Sequence, residues 1–429
     1  MILKRITDQL KRQDRRKIIE NFFSLSFLQV ANYILPLITL PYLVRVLGPA
    51  KFGLNAFAQS FMLYFIFITD FGFNLSATRE ISIHRENNKK VSEIFISVYV
   101  IKAVLFLISF AIFLFLITFV EQFIEEKLFF FLSFLTVIGW ILFPQWFFQG
   151  VEKMKFIAIV NFISKLIFTV TVFIFIRKVD DYMVLPVLNF IGLLVSGIIS
   201  LIIVFSTYRI IVKIPSFEVI KQQFISGLQI FISNVAMNLY TTSNSVILGF
   251  LTSNTIVGYY SAAERIFKAF QFLGIPLYQA IFPHFSKLIS ENREEAIRQF
   301  NKLFKYAMLI TSILSMVIFF SSPIIIKILL GDEYASSILI FSILSLGLTI
   351  SWGNYTLGIH GLINFGHEKT FSKIVLIFGI SHIFVLVIAI SLFGYLSVPI
   401  MWIFTELMIF LSVFYCLKKL KIIQLNFGY

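Results

Sequence analysis

The chain has 429 residues, 59% of them apolar and only 14% charged, with a formal net charge of +14. Soluble domains run roughly 45–50% apolar and about 25% charged, so much of this chain must face lipid. The single Cys416 excludes an internal disulfide and a cysteine-based metal site, and the five histidines (His84, His284, His360, His367, His382) lack ligand spacing and read as loop or packing residues.

Residues 1–21 are polar and basic, with no apolar core and no small-residue cleavage site, and read as a cytoplasmic tail rather than a signal peptide. A spanning helix needs about 20 mostly apolar residues. Twelve such segments follow, at 22–47, 52–71, 92–119, 128–149, 156–176, 182–206, 222–250, 255–286, 299–321, 334–359, 371–393 and 396–417. The connections are too short to fold as soluble domains. The expected fold class is therefore an all-α integral membrane protein with twelve transmembrane helices. They divide into an N-lobe (22–213) and a C-lobe (214–418), followed by a cytoplasmic tail (419–429).

Orientation follows from the Lys and Arg between spans. With the N-terminus inside, inner segments hold 26 of them and outer segments 6, so both termini are expected in the cytoplasm. The positive balance then reflects topology and anionic lipid, not nucleic acid. An internal repeat is also expected. "VRVLGPAKFGLNAFAQSF" (44–61) lies on "ILGFLTSNTIVGYYSAAERI" (247–266), with Gly53 on Gly258 and Ala58 on Ala263. Six spans per half give repeats of the same orientation.

The first span carries Pro36 and Pro41, which weaken its outer half, with Arg45 just beyond. Charges inside spans are candidates for function, because each costs about 2.5–3.5 kcal/mol at the bilayer centre. They are Asp70, near the inner end of its span, then Lys102, Lys165, Glu264, Arg265, Lys268 and Glu406. Lys102 and Lys165 lie too deep to snorkel and are expected to point inward, with Glu406 a partner for one of them. Asn234, Asn238, Thr241 and Ser245 form a polar stripe on the seventh span, read equally as cavity lining or helix–helix glue.

The eighth span holds "SAAERIFKAF" (261–270). At about 100° per residue, Tyr260, Ser261, Glu264, Arg265, Lys268, Gln271, Tyr278 and Gln279 share one sector, opposite Ala262, Ile266 and Leu273. Glu264 and Lys268 are i,i+4 neighbours, which leaves Arg265 as a surplus cation suited to gripping a phosphate. The alternative is a structural plug in which Arg265 bonds backbone carbonyls of a neighbouring helix.

The stretches "NYILPLITLPYLVRVLGPAKFG", "TDFGFNLSATREIS", "FPQWFFQGVEKM", "NLYTTSNSVILGFL", "VGYYSAAERI" and "GIPLYQAIFPHFSKL" resemble, in order and spacing, the Wzx-type O-antigen flippases. These are polysaccharide transporters of the multidrug/oligosaccharidyl-lipid/polysaccharide exporter superfamily. The resemblance covers about residues 20–420. It implies two six-helix lobes around a central cavity, alternating access, and movement of an undecaprenyl-pyrophosphate-linked oligosaccharide to the periplasmic leaflet of the bacterial inner membrane. It further implies membrane lipids, a polysaccharide polymerase and a chain-length regulator as partners. "YYSAAER" is also similar to a lipid II flippase motif whose Arg lines the cavity, and by that match Arg265 inherits the role.

The expected substrate-binding residues are Arg265, Lys268, Glu264, Lys102, Lys165, Arg45, Asn238 and Gln271, and Glu264, Asp70 and Glu406 are candidates for coupling to H+ or Na+. No metal or cofactor is expected. The alternatives are a lipid II flippase, a small-molecule exporter of the same fold, and a membrane enzyme. The exporter calls for a net acidic or aromatic cavity. The enzyme calls for an extended extramembrane loop with catalytic acids, and the outer loops here are tiny. There is no nucleotide-binding Gly-rich loop.

Overall fold

The computed structural model describes the backbone of residues 2–423, and the side chains of 34–232, 242–274, 278, 281–282 and 285–423. Nearly all of the described chain is helical, and no strand occurs among the described residues. The α-helices are α1 (Ile2–Asp70), α2 (Phe73–His84), α3 (Asn88–Phe119), α4 (Glu121–Ile124), α5 (Lys127–Leu142), α6 (Gln145–Gly150), α7 (Met154–Phe175) and α8 (Leu185–Tyr208). They continue with α9 (Phe217–Leu251), α10 (Asn254–Phe272), α11 (Ile275–Glu291), α12 (Arg293–Leu330), α13 (Ser336–Tyr355), α14 (Glu368–Phe393) and α15 (Ser397–Lys419). A π-helical stretch, Thr356–Ile363, follows α13.

Nine helical stretches among the described residues are long and apolar enough to cross a membrane. The first, Ile34–His84, takes in the expected span 52–71 and the part of 22–47 from Ile34 onward. It passes Pro36 and Pro41 without a break and departs from helical geometry at Gly48 (φ 65°, ψ 172°). The expected eighth span, 255–286, is two helices: α10 ends at Phe272, and α11 starts after Gly274 with Pro276 in its first turn, where a proline is best tolerated. The expected connection 72–91 is largely a helix, α2. Its Phe73, Ala77 and Ile81 are buried and enter a core shared with Phe95, Trp146 and Phe147.

The chain forms two compact units: Met1–Tyr42 with Ala58–Val235, and Leu43–Phe57 with Ala236–Tyr429. A length of α1, Leu43–Phe57, thus clusters with the second unit. In the first unit, α5 and α8 cross at small residues: a Cβ on Gly139 would sit 2.5 Å from Leu193 Cβ, and one on Gly197 2.5 Å from Leu142 Cβ. Such small-residue contacts are how helices approach closely in lipid. In the second unit, Phe285, Phe300, Leu357, Ile409, Val413 and Leu417 form a core.

The medium is legible on α12. Its Leu309, Ile313, Met316, Phe320, Ile324 and Ile328 are exposed, while Thr311, Ser315, Ser322 and Ile326 face inward and are buried. Leaving six large apolar side chains in water forfeits on the order of 10 kcal/mol, comparable to the whole stability of a domain. Lipid around this face removes that penalty. The inward hydroxyls bond to backbone instead: Ser315 Oγ donates to the Ser345 carbonyl at 2.7 Å, tying α12 to α13.

Candidate functional site

The site is built on α10. Ser253 caps its start, and its side chain accepts from the Ile256 N–H. The first turn lies against residues 49–53 of α1 within the same unit, backbone to backbone, at Gly53 and Gly258. That contact seats the helix. Tyr260, Ser261, Ala262, Ala263, Ile266 and Phe267 are all buried, so α10 is enclosed around most of its circumference.

Its polar groups form a connected set. Lys268 Nζ lies 3.1 Å from Glu264 Oε1, the pair expected from their spacing. Tyr260 Oη donates to the same oxygen at 3.3 Å. Asn244 Nδ2, on α9, donates to Tyr260 Oη at 3.1 Å, and Asn244 Oδ1 faces His382 Nε2 on α14 at 3.0 Å. His382 Nδ1 lies 2.8 Å from Thr405 Oγ1 on α15. Beside this file, Ser245 and Ser261 share a hydrogen bond at 3.3 Å. Gln271 Nε2 donates to Ser351 Oγ at 2.6 Å, and the Gln271 backbone carbonyl accepts from Trp352 Nε1 at 3.0 Å.

Arg265 takes a different direction from Lys268. Its guanidinium lies over the ring of Phe52, 5.2 Å from the centroid. Phe52 in turn packs edge-on against Tyr334, which packs edge-on against Tyr259. A cation over an aromatic face keeps its hydrogen-bond donors in the ring plane of the guanidinium, pointing sideways. Arg45 is exposed and donates to the Ile328 carbonyl at 2.5 Å, holding the end of α12. It serves as a clasp at that position.

The other predicted residues fall elsewhere. Lys102 points inward as expected and is 3% exposed, but its partner is Asp70, 3.3 Å away in the first unit, rather than Glu406. Asp70 also accepts from Asn74 Nδ2 at 2.6 Å. Glu406 accepts from Asn354 Nδ2 at 2.6 Å on the second unit. Lys165, on α7, is half-buried. The side chains of Asn234, Asn238, Thr241, Gln279 and His284 lie outside the described residues; Ser245, the last of the stripe, is buried.

Sequence reading missed His382, Asn244 and Phe52. His382 is no loop residue: it stands in the middle of a span and is buried among polar partners. Its mid-span position was the available signal, since an ionisable group at membrane depth is a candidate by default. Nothing in the sequence marked Phe52 as the platform for a cation more than 200 positions away.

Residues 18–289 match the sequence family described as "Polysaccharide biosynthesis protein". The chain is 32% identical over 390 residues to a protein of Escherichia coli (strain K12) named "Putative O-antigen transporter", covering 91% of this chain and 94% of that one. The chain belongs to the Wzx-type polysaccharide flippase family. A Shigella dysenteriae protein of the same name is 30% identical over 404 residues, covering 94% of this chain and all of that one. Among solved structures, the lipid II flippase MurJ in an inward closed conformation superposes with a TM-score of 0.70 at 16% identity, over 93% of this chain and 87% of that one. An inward-facing multidrug resistance MATE family transporter gives 0.69 at 15% identity, over 90% and 95%. These likenesses show the fold. The chain is thus a multi-pass bacterial membrane protein of a transporter family, and not a catalyst.

Proposed function

We propose that this protein flips an undecaprenyl-pyrophosphate-linked oligosaccharide, an O-antigen or capsular repeat unit, from the cytoplasmic to the periplasmic leaflet of the inner membrane. Two six-helix lobes alternate access to a central cavity, and an ion gradient drives the cycle. Both termini lie in the cytoplasm, in keeping with the 26 to 6 division of Lys and Arg between inner and outer segments. A polysaccharide polymerase and a chain-length regulator take up the product.

The observation that carries this reading is the charge arrangement on α10. The helix holds two cations and one carboxylate, with Glu264 given to Lys268 and Arg265 braced on Phe52. A net cationic helix with a braced guanidinium suits a diphosphate headgroup, which Arg grips through paired donors. It suits an organic cation poorly.

The test is surface polysaccharide in a strain carrying Arg265→Ala at wild-type membrane levels. The expected result is its loss, with partial recovery in Arg265→Lys. Normal surface polysaccharide in Arg265→Ala removes Arg265 from the site. Rescue of a strain depleted of its lipid II flippase by the wild-type protein moves the substrate assignment to lipid II.

A further inference from the structure

The connection from α8 to α9 leaves its apolar side chains uncovered. It runs over residues 209–216, "RIIVKIPS", without helix or strand. Ile210 is buried in the core that holds Phe95, Trp146 and Phe147. Ile211, Val212 and Ile214, with Phe217 at the start of α9, are between 52% and 78% exposed. Large apolar side chains grouped on a surface in this way mark a place where something binds.

Cations are interleaved with them. Arg209, Lys213 and Lys221 are all exposed, and Glu218 is the one carboxylate between 209 and 221. The nearby ion pairs on α2 and α3, Arg85 with Glu152 and Lys90 with Glu93, involve none of the three. Arg209 takes φ 47° where α8 ends, a left-handed position that glycine ordinarily fills. Its carbonyl accepts from Asn88 Nδ2 at 3.3 Å, and the Ile211 N–H donates to Ser92 Oγ at 3.0 Å. The backbone of the connection is thus fixed to the start of α3, while its long side chains stay exposed.

A surface of the same kind lies on α2, which ends four residues before Asn88. The inner face of α2 is spent on the core. Its opposite face presents Leu75, 58% exposed, and Ile83, 62% exposed, with the exposed Arg79 between them. At i, i+4 and i+8 the three form one stripe. Phe71 (φ 48°) and Gly72 (φ 77°), both left-handed, separate α2 from α1, so α2 is a helix of its own and not the end of a span. Phe71 stacks on Phe224 and Phe231 of α9, which holds that turn in place.

We propose that the segment 209–217 and the outer face of α2 form a docking surface for anionic phospholipid at the edge of the bilayer. Continuity carries the first step. Ile198, Ile202 and Phe205 make an exposed apolar stripe along α8, which in a multi-pass membrane protein meets acyl chains. The chain that follows this stripe emerges at the headgroups. Charge complementarity carries the second step. In the headgroup layer aliphatic side chains sink to the acyl boundary, and Arg and Lys reach lipid phosphates. Water would leave the aliphatic groups unburied. A protein partner suits the patch less well, because the cores of protein interfaces are depleted in lysine and this patch carries Lys213 at its middle. In the topology proposed above the surface faces the cytoplasmic leaflet, and it ties the connection between the sixth and seventh expected spans to the lipid. The inference needs only the membrane class of the protein and holds whatever the cargo.

The experiment uses the full chain with Cys416→Ser and one new cysteine, Val212→Cys, Ile214→Cys or Leu75→Cys, carrying a fluorophore. The protein is reconstituted in vesicles of phosphatidylcholine mixed with phosphatidylglycerol, with a nitroxide near the headgroup of one lipid or of the other. The expected result is quenching by the nitroxide lipids at all three positions and little quenching by a water-soluble nickel chelate. Labelled phosphatidylglycerol should quench about twofold more strongly than labelled phosphatidylcholine, and Arg209→Gln with Lys213→Gln should bring that ratio close to one, since a cation near an anionic surface contributes up to about fivefold in binding. Salt at about 1 M should act as the double variant does. Strong quenching by nickel and none by lipid places the segment in water and overturns the proposal. Quenching by neither shows a protein cover and also overturns it. Equal quenching by the two lipids overturns the anionic preference. The expected quenching in a protein that exports no polysaccharide supports the docking surface and counts against the flippase reading alone.

Discussion

Gly53 and Gly258 face one another across the crossing of α1 and α10, each seated on the backbone of the other's helix. A Cβ on Gly53 would lie 1.7 Å from the Asn254 carbonyl oxygen, and one on Gly258 2.0 Å from the Pro49 carbonyl oxygen. In each case the oxygen belongs to the residue four positions before the opposing glycine, so the contact is reciprocal. The alignment that sets Gly53 on Gly258 also sets Pro49 on Asn254. Gly53→Ala or Gly258→Ala forces the backbones apart, at a cost of about 1–3 kcal/mol or more. Both should lower the melting temperature of the purified protein. The double variant should cost less than the two singles together, because the first opens the same crossing for the second. Unchanged melting in both singles would show the crossing to be soft.

The Asp70–Lys102 pair predicts an asymmetry. Lys102 is 3% exposed and Asp70 29%. Asp70→Ala leaves an ammonium buried without this carboxylate, which typically costs about 3–5 kcal/mol. Lys102→Met instead leaves a carboxylate that is partly solvated and still bonded to Asn74. Asp70→Ala should therefore fall further in membrane abundance and melting temperature than Lys102→Met, and Asp70→Asn with Lys102→Met should recover much of the loss. The reverse order would contradict the pair's role.

Phe52 should matter for transport more than for folding. Phe52→Leu removes the face under Arg265, an interaction of about 0.5–2 kcal/mol depending on desolvation. Surface polysaccharide should drop at constant protein level, while Phe52→Tyr keeps the ring and the activity. Equal activity in Phe52→Leu would mean that Arg265 is positioned by something else.

Glu264→Gln separates stability from function. Lys268 is well exposed, and an i,i+4 pair of this kind contributes only about 0.3–0.5 kcal/mol. The variant should melt within a degree or two of wild type, yet lose the control that Glu264 exerts over Lys268. Its surface polysaccharide should fall at wild-type protein level. A large fall in melting temperature would assign Glu264 to the scaffold.

The spans were legible because an apolar run of bilayer length has few other fates, and the breaks were not. Pro36 and Pro41 look stronger than Gly48 in one dimension, yet the helix turns at Gly48, where a positive φ costs glycine nothing. The polar face of α10 was legible as far as Gln271, from periodicity. Beyond it α10 ends at Phe272 and α11 begins at Ile275, a division the apolar run did not mark. Glu264 with Lys268 could be read because neighbours at i,i+4 meet on any helix. Asp70 with Lys102 could not, because separate helices bring them together.

By itself the sequence determined the medium, the helical class, the inward burial of Lys102 and the local pairing on α10. These follow from composition and from geometry within one helix. Only the tertiary structure decided that Arg265 rests on Phe52, that Lys102 meets Asp70, and that His382 closes a file running through Asn244 and Tyr260 to Glu264. Those contacts join residues far apart in the chain. Their partners are chosen by which helices cross and at what rotation, and glycines such as Gly53 and Gly258 set that crossing by letting two backbones touch.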